Sequence, residues 1–222
     1  MEEYIFYRRD KITPTNTVYT LCFGWQPGTR YTQSPLNDNQ PKQIINIKHM
    51  LIDNFNKTID VWIDELQHYS INKLLIKPDT ASWSMGQLYM HVIEETNWYF
   101  EQIGLCFDSK EHLIQTMKES AKSIFQNDSF PDDIIKGDPF ISDNVNQPTD
   151  WQTLQVDFHK LKKDANEIWL EIEKAAIPGK AEHPGLGFLG PLEWFQYAEM
   201  HMRHHAKQKG RINNFLETMT AK

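Results

Sequence analysis

Residues 200–208 read MHMRHHAKQ and hold three of the chain's nine histidines, His201, His204 and His205. Imidazole is the side chain best suited to binding metals and moving protons near neutral pH. On a helix, successive side chains are rotated by about 100°, so His201 and His205 stand about 40° apart and one turn along, whereas His204 and His205 diverge by about 100°. A pair at i and i+4 can converge on one ion, as the two histidines of an HExxH helix do. His204 points aside, to a helix contact or the surface. Trp194, Tyr197, Gln208 and Phe215 share the face of the pair. That face should meet the core, where imidazoles need partners.

A third ligand has to come from another segment. His68, His112 and His159 lie among charged or polar neighbours and read as surface residues, whereas His91 shares a helical side with Leu88, Val92, Glu95 and Tyr99. His91, His201 and His205 would give three neutral imidazoles on two helices. Coordination positions would remain for water or substrate, the pattern of a catalytic rather than a closed structural site. Glu95, one turn past His91, is the candidate catalytic residue, orienting a ligand or acting as a base; a solvated helix carboxylate is the plain alternative. Tyr197 and Gln208 could contact substrate or pack. His183, before Pro184, could bond backbone in its loop, and Trp83 and Trp194 read as core anchors. Imidazole ligands admit Zn²⁺, Ni²⁺, Fe²⁺ or Cu²⁺, and such an ion lowers the pKa of a bound water or thiol. Free imidazole titrates near roughly 6.5, so metal affinity should fall as pH drops through that region. The competing reading is a set of hydrogen-bonded core histidines on a polar helix face.

Long helices must position these residues. From residue 43 the apolar residues Ile47, Leu51, Phe55, Ile59, Trp62, Ile63 and Leu66 recur every three or four positions, one stripe of an amphipathic helix. Ser84 and Gln87 form a capping box that opens a helix over Met85–Leu105. A shorter helical stretch spans 109–126. Thr149 and Gln152 suggest a second capping box and a helix to Ala176, and Pro191 begins a last helix to Thr218. The connection over 127–148 is longer than the usual ~4–6 residues, so it should cross an end of the fold or cover something. Four long helices and one short one predict an all-α bundle over 43–222. Residues 1–42, rich in proline and polar residues, read as a poorly structured N-terminal extension, with TVYTLCFGW as an isolated strand-like run.

Composition narrows the function classes. The chain has 222 residues, is 40% hydrophobic and carries a net charge of −7, with no basic block. That argues against a nucleic-acid partner. No apolar run approaches the ~18 residues of a membrane span. MEEYIFYRRD is unlike a secretory signal, and the two cysteines, Cys22 and Cys106, are too few for a disulfide scaffold. A cytoplasmic setting is the expectation.

Two segments carry a family resemblance. WSMGQLYMHVIEET, residues 83–96, and HPGLGFLGPLEWFQYAEMHMRHHAKQKGRI, residues 183–212, together resemble the DinB-like superfamily of metal-binding four-helix bundles. The likeness is nearest to an uncharacterised branch with a His-Pro…Gly loop before the last helix. The resemblance spans about 44–216 in helix order, although its specific motifs occupy only those two segments. It implies His91, His201 and His205 as ligands of a divalent metal such as Zn, Ni or Fe. It also implies a thiol transferase or hydrolase acting on a small electrophilic substrate, with a low-molecular-weight thiol as possible cosubstrate, and a homodimer. A non-catalytic metal-binding bundle, or a structural or stress-related dimeric one, is the alternative.

Overall fold

The structure, a computed structural model, describes residues 40–108, 110–131 and 144–220. Apart from residues 40–42, which open the first helix, the 1–42 segment and its TVYTLCFGW run lie outside the described residues. The described chain is predominantly helical, with six helices and one two-stranded antiparallel hairpin. The helices are α1 (Gln40–Leu66), α2 (Ile71–Leu74), α3 (Met85–Asp108), α4 (Glu119–Asn127), α5 (Trp151–Lys174) and α6 (Pro191–Thr220); the strands are β1 (Ala181–His183) and β2 (Gly187–Leu189). No helix among the described residues is long and apolar enough to cross a membrane.

Of the apolar stripe of α1, Phe55, Ile59, Trp62, Ile63 and Leu66 belong to the core and Leu51 packs partly buried against it, whereas the Ile47 side chain lies outside the described residues. Each long helix packs against two others, α1 and α3 both touching α5 and α6. Side-chain pairs give the directions. Phe55 meets Phe195, Thr58 bonds Glu199 and Tyr69 bonds Asn213, so α1 and α6 run the same way. Asn56 bonds Asn166 and the Trp151 indole donates to the Leu66 carbonyl, so α5 runs against α1. His91 meets His205 and Tyr99 meets Trp194, so α3 runs against α6. Consequently α3 and α5 share a direction, and the chain between them must return along a helix of about 36 Å at 1.5 Å per residue.

Of the connection expected over 127–148, residues 132–143 lie outside the described residues, and the chain that precedes them corrects the helix expected over 109–126. Only Glu119–Asn127 is helical. His112 adopts a left-handed backbone (φ 59°), and Met117 pairs with Gly187 across an antiparallel bridge. Pairing to the hairpin diverts residues 116–118 from helix: Lys118 N–H donates to the Leu186 carbonyl at 2.7 Å. Gly187 makes this approach possible. Its φ is +82°, and a Cβ there would lie 3.0 Å from Lys118 N and 3.1 Å from Thr116 O, so L side chains are disfavoured on two counts. Further on, Asp128 ends α4 in a left-handed conformation and accepts from Arg203 and Gln196, fastening the return segment to α6. The hairpin and the single turn α2 were not anticipated from the sequence.

The helix starts hold with one shift. Gln87 N–H donates to Ser84 Oγ at 3.0 Å and Ser84 N–H donates to Gln87 Oε1 at 3.1 Å, the reciprocal capping box. At α5 the cap is Asp150 rather than Thr149: its carboxylate accepts from Thr153 N–H at 2.6 Å, and the Thr149 hydroxyl donates to it. An aspartate that also takes the Thr153 hydroxyl satisfies more donors than Thr149 could. Pro191 is the first residue of α6.

Candidate metal centre

Helix phase brings His91, His201 and His205 together. The capping box fixes where α3 begins and therefore which way His91 points; Pro191 does the same for α6. The ligand atoms of the three imidazoles lie within 4.8 Å of one another. Nε2 of His205 is 3.1 Å from Nε2 of His91 and 3.1 Å from Nε2 of His201. A tetrahedral ion with bonds of ~2.0–2.1 Å holds two nitrogens roughly 3.3 Å apart, which the two 3.1 Å spacings about His205 approach. His91 and His205 are buried and His201 is partly buried.

The surroundings are aromatic on most sides. Trp83 lies over His91 with ring centres 4.7 Å apart and approaches His205 at 6.4 Å. Tyr99 meets His201 edge-on at 5.4 Å. Trp83 is therefore more than a core anchor, since its ring walls the imidazole cluster; Trp194 is fully buried in the core, as expected. The other side of His205 is polar. Its Nδ1 lies 2.9 Å from Oε1 of Gln208, three residues along α6. Nδ1 of His201 is buried with no hydrogen-bond partner among the described residues.

Burial changes the acid–base expectation. Desolvation, then the neighbouring His205 and other histidines, holds His91 and His201 well below the ordinary imidazole range. His205 is pushed down to about 4, mainly by burial and only partly offset by Gln208. Competition between metal and protons near pH 6.5 is therefore the property of an exposed histidine, not of these three, because water-poor surroundings penalise the imidazolium.

The remaining candidates fall at various distances from this cluster. His204 points aside, its half-buried ring packing edge-on against Phe130 at 5.5 Å. Glu95 is buried on α3 one turn beyond His91. His183 is fully buried in β1, and its Nδ1 accepts from Gly185 N–H at 3.1 Å and Leu186 N–H at 3.2 Å. It serves the hairpin turn, and burial, helped by Lys118, pushes its pKa to about 3. Tyr197 is buried among Tyr99, His183, Trp194 and Phe130. His68, His112 and His159 are exposed. The contact of Gln208 with His205 was not assigned from the sequence, although the i, i+3 spacing permits it.

Comparison with protein-family models found no match, and comparisons with curated proteins and with solved structures found none either.

Proposed function

We propose that the chain is a metal-dependent enzyme of the DinB-like class, built as a four-helix bundle with α4 added to the connection between α3 and α5 and the hairpin added to the link between α5 and α6. The observation that carries this reading is the convergence of three Nε2 atoms, from His91 on α3 and His201 and His205 on α6, with that of His205 3.1 Å from each of the other two. Three neutral imidazoles leave the double charge of Zn²⁺, Ni²⁺ or Fe²⁺ uncompensated and leave coordination positions open. When bound, such an ion supplies positive charge that lowers the pKa of an adjacent water or thiol and makes a nucleophile near neutral pH. The protein's own residues hold the geometry. His91, His201 and His205 present lone pairs, the Trp83 ring restricts water beside His91, and Glu95 orients a ligand or accepts a proton. The substrate is a small electrophile, with water or a low-molecular-weight thiol as its co-reactant. The working unit is a cytoplasmic homodimer.

The alternative is a metal-binding bundle without turnover, which the same three histidines would also serve.

Elemental analysis after reconstitution with Zn²⁺ or Co²⁺ tests the site. One equivalent per chain is expected, lost in His91→Ala, His201→Ala and His205→Ala but kept in His204→Ala. Retention in His205→Ala together with loss in His204→Ala would refute the proposed ligand set. Changes in the Co²⁺ spectrum on adding a thiol, followed by turnover of thiol and electrophile pairs, separate the enzyme from the closed site.

A further inference from the structure

We infer that Gln208 is a positioning residue that selects the metal-binding tautomer of His205. The functional meaning of this assignment rests on the metal reading above; its structural content does not. A neutral imidazole carries one proton on either of two nitrogens, and only the bare nitrogen can ligate. Oε1 of Gln208 sits 2.9 Å from Nδ1 of His205. A carbonyl oxygen only accepts, so the contact is a hydrogen bond when Nδ1 carries the proton. Nε2 is then a bare lone pair, and it is this atom that faces Nε2 of both His91 and His201 at 3.1 Å.

The arrangement is consistent on both sides of the ring. One lone pair can accept from two N–H groups, so His91 and His201 can both donate to His205 before an ion arrives. With the proton on Nε2 instead, a single N–H would have to serve two neighbours while Nδ1 faced an acceptor. The placement of Gln208 is a helix property: three residues on, it shares the side of His205 and reaches back to the outer nitrogen. His201 has no counterpart, since its buried Nδ1 meets no partner among the described residues. Orientation within the α6 pair is thus imposed on His205. Partners of this kind typically contribute about 10–100-fold to metal affinity.

The test uses the full chain, stripped by a chelator, with Gln208→Leu and Gln208→Glu. Long-range ¹H–¹⁵N correlation spectra report the His205 tautomer without any metal, and competition against a chromophoric chelator reports Zn²⁺ affinity. Wild-type His205 should carry its proton on Nδ1. Gln208→Leu should mix the tautomers and weaken Zn²⁺ binding about 10–100-fold, and Gln208→Glu, which keeps an acceptor, should restore both. A wild-type proton on Nε2, or a tautomer indifferent to Gln208→Leu, overturns the assignment. A tautomer that responds as expected in a chain that binds neither Zn²⁺ nor Co²⁺ upholds the assignment and refutes the metal reading instead.

Discussion

Lowering the pH from 7.5 to 5.5 should leave metal affinity almost unchanged while weakening the fold. If the three imidazoles kept the free value of roughly 6.5, each would go from about 9% to about 91% protonated, a tenfold loss of available ligand. Three such ligands would cost a factor of about 10³ in affinity and release close to three protons on binding at the lower pH. In the structure His205 is pushed down to about 4, so only about 3% is protonated at pH 5.5. His91 and His201 are held well below the ordinary range by burial and by their neighbours. Affinity for Zn²⁺ should then change by less than about twofold, a consequence of ligands that remain neutral across the window. The protons act on the unfolded chain, where these histidines regain the free value. Unfolding therefore takes up protons, and stability falls with pH from about 6.5 toward the folded pKa. His205 alone accounts for about 1.3 kcal/mol between pH 7.5 and 5.5, and His91 and His201 act in the same direction. Zinc competition titrations at both pH values check the first half. Denaturant midpoints with and without chelator check the second, and the two stability curves should run parallel with a constant offset. A drop in affinity near 10³-fold with about three protons released would show that water reaches the rings, and the burial argument would fail.

Two further outcomes follow from the hairpin. In chelator-treated protein, His183→Asn keeps an acceptor for Gly185 and Leu186 N–H but no longer titrates; with the wild-type pKa near 3, the stability gap between wild type and variant should narrow by about 2 kcal/mol from pH 7.5 to pH 5. Parallel denaturant curves for the two proteins would mean His183 is exposed to protons. Gly187→Ala should cost about 1–2 kcal/mol from its left-handed backbone, and more from the 3.0 Å approach to Lys118 N, while Zn²⁺ stoichiometry stays at one. Calorimetry should show a midpoint lower by about 2–4 °C per kcal/mol, and an unchanged midpoint would refute the bridge to Met117 as a tight contact.

The long helices were legible because their signals are local. Burial of one face imposes a period of 3.6 on α1, and Ser84 with Gln87 marks the start of α3 within four residues. The same logic misjudged 109–126, where Leu113, Met117 and Ile124 suggest a helix. Leu113 is 44% exposed, and Met117 is taken by a strand-like bridge to Gly187, seventy residues away. A pairing at that separation leaves no periodic trace in either segment. The hairpin was hidden for a related reason. Its three-residue strands are too short to alternate visibly, and His183, which resembles a loop residue, is the acceptor that closes the turn.

The candidate site divides along the same line. Helical phase alone separates His205 from His204, and the polar and apolar mixture around His91 singles it out, so the convergence of the trio could be reasoned from spacing. What spacing does not contain is the exclusion of water, because that depends on what other helices and the Trp83 ring place over the imidazoles. This is why an expectation drawn from free histidine put proton competition near pH 6.5, while the packed site moves it lower. The consequence bears on chemistry. A site that stays neutral without an ion avoids mutual repulsion among three imidazolium groups, and each ring keeps one bare nitrogen over the whole range in which a thiol or water would have to be deprotonated. Gln208 adds direction to that neutrality. Burial decides that His205 carries a single proton, and the side-chain carbonyl one turn further along α6 decides which nitrogen carries it.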